Sequence, residues 1–312
     1  MTSPKSSLVA DVLRYAAQET LRHLETSDAW EAFTLEEGQI HTGDDPIQAD
    51  ENAQLAFEKA TESHLAFDQL NIHAFSGEER LKPISGDYKR GSRIIFVDPL
   101  DGSSLWSIFR QGYCVGAMSL VADGNGRWDF ECGLVATPVH TFTLLDEQLM
   151  FGATFSPSRL DTYLASAEPE NQYRGPSLAM SGYKARDRDW VIALMGALPD
   201  WDIITLSGNT ATPYVAAGSL TAALSHRPQT TWDALGVLAV ATTDAVVGDI
   251  EGTVVHGPSF RNRFSKLPDL DKNTRTVPPT IVAKTEERFV EVANAVEVAD
   301  AQSPRPMGLD PF

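Results

Sequence analysis

The chain has 312 residues and carries 43 acidic against 25 basic side chains, a formal net charge of −18. This acid excess argues against a nucleic-acid backbone or an anionic membrane as the main partner. Hydrophobic residues make up 42% of the chain, enough for a sizeable core in one large domain or in two packed lobes.

The N-terminal half combines helical patterns with a block of strand patterns. Its predicted elements are helices at 6–25 and 47–67, a strand at 71–76, a polar loop at 80–92, a buried strand at 94–97, and strands at 113–121, 130–137 and 141–145. The strands of the last block are separated by short turns such as Asp123-Gly124-Asn125-Gly126. Neighbouring strands with tight turns imply an antiparallel sheet.

The C-terminal half has a weaker pattern. Its predicted elements are a weak helix at 159–165, a buried strand at 190–195, helices at 209–226 and 232–246, a turn at 248–252, a loop at 257–279, a strand at 280–283 and a helix at 285–297. We therefore expect an N-terminal lobe over residues 1–150 and a smaller α/β lobe over residues 151–312, which share one continuous core.

Two cysteines, Cys114 and Cys132, lie in apolar, strand-like stretches. Reduced, buried thiols are typical of a cytoplasmic protein, and the sequence leaves a disulfide between them open. The first residues lack the apolar core of a signal peptide, and no stretch has the about 18–20 apolar residues of a membrane span. The sequence predicts a cytoplasmic protein with no membrane partner.

The run Val97-Asp98-Pro99-Leu100-Asp101-Gly102-Ser103-Ser104 carries the strongest chemical signal. Asp98 and Asp101 end an apolar strand, and paired carboxylates are hard-oxygen ligands that suit Mg²⁺. The glycine and the two serines that follow can offer backbone N–H groups to an anion. Hydrolysis of a phosphate ester needs such a metal site beside a phosphate site.

Further acids stand at the ends of apolar elements. They are Glu78 and Glu79 after Gly77, Asp233 beside Trp232, and Asp50 near the start of the second helix. Taken singly, each is more often a turn residue, a helix cap or a solvated surface residue. Together they favour a site that binds cations, because burial of uncompensated carboxylates costs free energy.

The order of Asp50, Glu78-Glu79, Asp98-Pro99-Leu100-Asp101-Gly102-Ser103 and Trp232-Asp233 resembles the signature of the inositol monophosphatase superfamily. Inositol monophosphatases, fructose-1,6-bisphosphatases and bisphosphate nucleotidases belong to it. The resemblance implies lithium-sensitive phosphatase activity with two or three Mg²⁺ ions. It also implies a layered α/β/α/β/α sandwich, with a large antiparallel N-terminal sheet and a smaller C-terminal α/β layer.

The resemblance also implies roles by position. The implied metal ligands are Glu78, Asp98, the Leu100 carbonyl, Asp101 and Asp233. Asp98 would bridge two ions, and Glu79 would support a further metal or the loop.

The remaining implied roles concern water and phosphate. Ser103 would orient the attacking water, with Asp50 as its partner, and Gly102, Ser103 and Ser104 would bind the phosphate. No covalent nucleophile is needed, because metal ions can activate water directly.

The substrate is less well defined. The central motif resembles fructose bisphosphatases, whereas Trp232-Asp233 resembles the inositol branch, in which a Gly-Ser turn precedes a helix, a strand and a substrate-binding acid. Here only twelve residues, Leu220 to Thr231, separate Gly218-Ser219 from Trp232. Either Gly218-Ser219 is not the equivalent turn, or the substrate-facing strand and its acid are missing.

Basic residues between Ser156 and Asp202 either contact substrate anions or belong to a solvated loop. They are Arg159, Arg174, Lys184, Arg186 and Arg188.

The favoured function is hydrolysis of a small phosphorylated metabolite, with an inositol or sugar phosphate ahead of a 3′-phosphorylated nucleotide or nucleoside and of fructose bisphosphate. The alternative is a non-catalytic relative that binds a metal or a phosphorylated ligand. Relatives are commonly homodimers, but the sequence does not show an interface.

Overall fold

The structure is a computed structural model of the chain. It describes residues 4–27, 48–77, 88–103, 105–106, 111–145, 148–155, 161–162, 175–181, 187–230, 232, 234–240, 243–254 and 276–305.

The described helices and strands alternate irregularly along the chain. The helices are α1 (Pro4–Thr26), α2 (Gln48–Ser63), α3 (Phe67–Leu70), α4 (Arg188–Ala197), α5 (Gly208–Ala216), α6 (Leu235–Val240) and α7 (Glu286–Gln302). The strands are β1 (Ile72–Gly77), β2 (Arg93–Asp101), β3 (Cys114–Ala122), β4 (Trp128–Ala136), β5 (His140–Leu145), β6 (Gln148–Ala153), β7 (Asp161–Thr162), β8 (Ser177–Ser181), β9 (Asp202–Thr205), β10 (Ala222–Ser225), β11 (Gln229–Thr230), β12 (Val246–Asp249), β13 (Thr276–Val277) and β14 (Thr280–Ala283).

The larger sheet has the strand order β1-β2-β3-β4-β5-β6-β7. Only its first pair, β1 and β2, runs parallel, and the following pairs are antiparallel. Every residue of β2 is buried, because helices cover both faces of this part of the sheet. The expected large antiparallel sheet is confirmed.

The smaller sheet has the order β12-β14-β10-β8-β9. Its strands β10, β8 and β9 run parallel, whereas β14 is antiparallel to both β10 and β12. A separate pair, β11 with β13, is antiparallel.

Three hydrophobic clusters define the layers. The first packs α1 and α2 on one face of the larger sheet. The second joins the other face of that sheet, through α5 and α6, to the smaller sheet. The third packs α4 and α7 on the far face of the smaller sheet. The layers therefore follow the order α/β/α/β/α, and the predicted sandwich is confirmed.

Several predictions for the C-terminal half are wrong. Residues 190–195 form part of α4 rather than a strand: Trp190 and Leu194 are buried, whereas Ile192 and Met195 are half exposed, which is the burial period of a helix. The apolar run hides this period, because the side that faces solvent is also apolar.

The helix predicted at 209–226 is also too long. It ends at Ala216, and β10 follows at 222–225. Gly218 has φ +78, a left-handed conformation that ends a helix readily at glycine.

Three smaller corrections apply. In place of one helix over 232–246, α6 covers 235–240 and β12 begins at Val246. Within the predicted helix at 159–165, residues 161–162 pair with β6 as β7. Within the predicted loop at 257–279, residues 276–277 form β13, and those up to 275 lie outside the described residues.

Both cysteines are buried and free, so no disulfide joins Cys114 to Cys132. Among the described helices, none is long and apolar enough to cross a membrane.

Candidate metal and phosphate site

Two buried aspartates lie at the end of β2. Asp98 and Asp101 are exposed by only 2% and 7%. The pairing of β2 with β3 is irregular between them, after Asp98 pairs with Gly116 and before Asp101 pairs with Cys114. Asp98 Oδ1 accepts a hydrogen bond of 3.2 Å from the Leu100 backbone N–H. The irregularity and this bond fix both carboxylates at one edge of the sheet.

The first turn of α5 binds both carboxylates through one residue. The backbone N–H of Asn209 donates to Asp101 Oδ2 at 2.6 Å, and its side-chain Nδ2 donates to Asp98 Oδ2 at 3.1 Å. The N-terminus of a helix favours negative charge, so this position stabilises the ionised acids. Sequence reasoning missed Asn209, although Ser207 before an apolar helical run is a typical N-cap signal.

A third segment, which contains Trp232, lies beside Asn209 and the two aspartates. The Trp232 carbonyl accepts a 2.7 Å hydrogen bond from Asn209 Nδ2. The Trp232 indole donates to the Ser76 carbonyl at 2.9 Å, next to the last residue of β1. The ends of β1 and β2, the start of α5 and Trp232 therefore meet.

Gly102 turns the chain away from β2. Its φ is +90, and a Cβ at this position would lie 3.1 Å from both the Gly112 carbonyl oxygen and Ser207 Cβ. A helical turn follows, in which the Trp106 N–H donates to the Gly102 carbonyl at 2.9 Å. Both the backbone conformation and the close approach require glycine here.

The electrostatic potential at the end of β2 is negative. Burial, and next the charge of Asp101, raise the pKa of the Cys114 thiol well above its usual value. The protonated thiol lies 3.7 Å from Asp101 Oδ2, as a weak donor. Such a region suits a bound cation.

The donor set fits a hard divalent cation. An ionised carboxylate has about four acceptor positions, so N–H donors and a metal ion can share one carboxylate. Asp98 and Asp101 supply the oxygen ligands that Mg²⁺ prefers. Among the described residues, no group of three or more His, Cys, Asp or Glu side chains could hold a metal ion.

Apart from Asp50, which lies in α2, the predicted site residues divide into two groups. The first group lies at the end of β2 or directly after it: Asp98, Leu100, Asp101, Gly102 and Ser103. Glu78, Glu79, Ser104 and Asp233 lie outside the described residues, although the preceding residues Gly77 and Trp232 are described.

Asp50 is buried in the first turn of α2, 7% exposed. One turn later, the Gln54 side chain occupies the space beside Gly77, so this face of α2 packs against the end of β1. The proposed partnership of Asp50 with Ser103 stays a prediction.

A small cavity, with space for about one water molecule, lies between α5 and the smaller sheet. Its polar lining includes Ser181, Ser225, Gln229 and Thr280, and it reaches Gly208, next to Asn209. Gln229 Nε2 donates to Ser181 Oγ at 3.3 Å across this lining. The described polar lining is uncharged.

The strand before Trp232 is not missing. The segment from Leu220 to Thr231 contains β10, and α5 lies before Gly218. Gly218-Ser219 therefore ends a helix instead of preceding one, which favours the first of the two alternatives. The segment contains no Asp or Glu, so the structure adds no substrate-binding acid there.

Of the basic residues considered as substrate contacts, Arg188 is exposed at the start of α4. Arg159, Arg174, Lys184 and Arg186 lie outside the described residues.

Comparison with known proteins gives structural matches alone. No family model and no curated protein matches the chain. Extragenic suppressor protein SuhB from Bartonella henselae has a TM-score of 0.62 and 19% identity, over 93% of this chain and 98% of that one. The Thermotoga maritima IMPase has a TM-score of 0.59 and 17% identity, over 94% and 98%.

A third match is CysQ from Bacteroides thetaiotaomicron, described as a bacterial member of the inositol monophosphatase family. It has a TM-score of 0.56 and 15% identity, over 89% of this chain and 98% of that one. At these identities the likeness is one of fold, over nearly the whole of each chain. The chain has the fold of the inositol monophosphatases.

Proposed function

We propose that the chain is a Mg²⁺-dependent phosphomonoesterase of the inositol monophosphatase superfamily. The observation that carries the proposal is the pair of buried aspartates at the end of β2, held by N–H donors beside Gly102. The match to phosphatase structures over nearly the whole chain supports it.

Asp98, Asp101 and the Leu100 carbonyl would hold the metal ions, together with Glu78 and Asp233. When bound, the ions would activate water and neutralise charge on the phosphate. Ser103 would orient the water, and the backbone after Gly102 would offer N–H groups to the phosphate. The short distance of Gly102 from Ser207 keeps this turn against α5.

The substrate we propose is an inositol or sugar phosphate. The likeness in fold to an IMPase over nearly the whole chain supports this choice. Two free, buried cysteines are in keeping with the cytoplasm as the proposed location.

A phosphate-release assay tests the proposal. The purified chain would be incubated with inositol phosphates, sugar phosphates including fructose bisphosphate, and 3′-phosphorylated nucleotides, each with Mg²⁺ or with EDTA. We expect Mg²⁺-dependent release that is fastest with an inositol or sugar phosphate and is inhibited by lithium.

Different outcomes of this assay test the proposed substrate and the proposed activity. Mg²⁺-dependent release from nucleotides alone would overturn the proposed substrate. A folded protein that binds Mg²⁺ and phosphate esters but releases no phosphate from any of them would overturn the proposed activity in favour of a non-catalytic relative.

A further inference from the structure

We propose that Asn209 is a positioning residue of the metal centre, which sets the two aspartates of β2 and the segment around Trp232 in one geometry. The inference rests on the proposed function, because it concerns the same site. It adds a residue that contacts the predicted ligands through hydrogen bonds and is not itself proposed to bind metal.

Asn209 is fully buried and bonds both to the end of β2 and to the segment around Trp232. Its backbone N–H and Nδ2 donate to Asp101 and Asp98, as described above. Nδ2 also donates to the Trp232 carbonyl at 2.7 Å, and Oδ1 accepts from the Gly236 N–H at 2.7 Å. One side chain therefore fixes the residues on both sides of position 233 relative to Asp98.

Two glycines make room for this arrangement. Gly116 pairs with Asp98 across the β2–β3 ladder, and a Cβ at Gly116 would lie 3.2 Å from Asn209 Nδ2. A Cβ at Gly236 would lie 2.5 Å from the Asn209 carbonyl oxygen. At Gly116 and Gly236, the absence of a side chain therefore permits the close approach of Asn209.

The amide is chemically suited to this task. It donates to Asp98 without neutralising the carboxylate, so the negative charge remains for a cation. A lysine or arginine would compensate that charge, and an aspartate would place a second negative charge beside Asp98. An alanine would remove three of the four hydrogen bonds, since only the backbone N–H would remain.

The direct test measures Mg²⁺ affinity of the full chain by calorimetry for the wild type, Asn209→Ala and Val215→Ala. Val215 is a buried apolar residue of the same helix, so its truncation matches the loss of packing without loss of the hydrogen bonds. We expect Asn209→Ala to weaken Mg²⁺ binding about 10–100-fold, the usual effect of losing a partner of a metal ligand. Val215→Ala should keep the wild-type affinity.

Phosphate release provides a second readout. In Asn209→Ala, the Mg²⁺ concentration for half-maximal rate should rise with the dissociation constant, and excess Mg²⁺ should restore much of the rate. Gly116→Ala, which pushes on the same amide, should weaken Mg²⁺ binding by a smaller factor and serves if Asn209→Ala does not fold.

The measurements distinguish a failure of the proposed function from a failure of the positioning role of Asn209. If the folded wild type binds no Mg²⁺ and releases no phosphate, the proposed function is wrong. If the wild type binds Mg²⁺ and is active, but the folded Asn209 and Gly116 variants keep the affinity of Val215→Ala, the positioning role is wrong.

Discussion

The chain buries aspartates in two different ways. At the end of β2, Asp98 and Asp101 accept hydrogen bonds from the neutral N–H groups of Leu100 and Asn209, and the Cys114 thiol lies 3.7 Å from Asp101 Oδ2. In the C-terminal half, Asp187 forms an ion pair with Arg227 and lies 3.3 Å from His226 Nε2. A guanidinium compensates the charge of a buried carboxylate, whereas an amide satisfies its hydrogen bonds and leaves the charge in place.

Asp300, whose side chain is 32% exposed, also pairs with an arginine. Arg305 binds it with two hydrogen bonds, of 2.7 and 2.8 Å, and the Trp190 indole donates to it at 2.7 Å. Arg305 also donates to the His226 carbonyl at 3.3 Å. This network ties α4, α7 and the end of β10 together, so we infer that its acids stabilise the fold.

In each region, burial is the largest cause of the pKa shift of a neighbouring titratable group, and the charge of a nearby aspartate is the second. The pKa of Cys114 is raised by burial and then by Asp101, so the thiol senses negative charge. The pKa of His226 is lowered by burial, even though Asp187 acts in the opposite direction and Arg227 adds to the lowering. Burial alone therefore does not distinguish the two kinds of aspartate; the difference lies in their described partners, an arginine for Asp187 and amide N–H groups for Asp98.

The largest effect should follow from Asp98→Asn. The variant loses the charge and presents an amide N–H₂ to a site already filled with donors. Phosphate release with saturating Mg²⁺ should fall below about one hundredth of the wild-type rate, since loss of a ligand exceeds the usual loss of a ligand's partner. Asp129→Asn, at an exposed position of β4 in the same sheet, should keep full activity. Equal activity of both variants would contradict a catalytic role for Asp98.

Asp187→Asn should affect stability instead. Without the carboxylate charge, Arg227 remains nearly buried beside His226, and loss of one partner of a buried pair costs about 3–5 kcal/mol. Urea unfolding should show this loss, while Mg²⁺ affinity of the folded variant stays unchanged. A stable Asp187→Asn variant with weakened Mg²⁺ binding would show that the roles proposed for Asp98 and Asp187 are wrong.

Comparison of Gly102→Ala with Gly91→Ala separates the effect of backbone strain from the effect on the candidate site. Gly102 and Gly91 have φ values of +90 and +86, but a Cβ at Gly91 would meet nothing within 4 Å. Each alanine should cost about 1–2 kcal/mol of unfolding free energy for the left-handed conformation. Gly102→Ala should cost more because of its neighbours, and it alone should slow phosphate release. If Gly91→Ala slows release equally, the turn after β2 has no special role.

The smallest effect concerns pH. Burial lowers the pKa of His226 below its ordinary value of 6.5, so on acidification the unfolded chain binds the proton first. Stability should therefore fall as the pH drops through about 6.5. His226→Gln should flatten this dependence in urea unfolding at a series of pH values. Some dependence should remain, because burial also lowers the pKa of His140. An unchanged pH dependence would contradict the assignment.

The sequence was sufficient where the signal is local. The apolar run before Asp98, the turn residues after it and the short turns between strands predict β2 and the antiparallel sheet directly. The layered fold followed from the resemblance of spaced motifs, and the structure confirms it.

Other features depend on contacts that a local pattern does not contain. Asn209 and Asp98 are 111 positions apart, and no spacing rule connects an amide to a carboxylate over that distance. The helix α4 was mistaken for a strand because its partly exposed side carries Ile192 and Met195, which removes the polar half of the helical pattern. The helix predicted over 209–226 extends beyond the observed end of α5 at Ala216, because alanines and other apolar residues continue past Gly218.

The most direct measurement is a titration of the full chain with Mn²⁺, a spectroscopic substitute for Mg²⁺, followed by electron paramagnetic resonance for wild type, Asp98→Asn and Asp187→Asn. The account predicts saturable binding that Mg²⁺ displaces in the wild type and in Asp187→Asn, and its loss in Asp98→Asn. Absence of saturable binding to the folded wild type, or equal binding to all three, would contradict a metal centre at the end of β2.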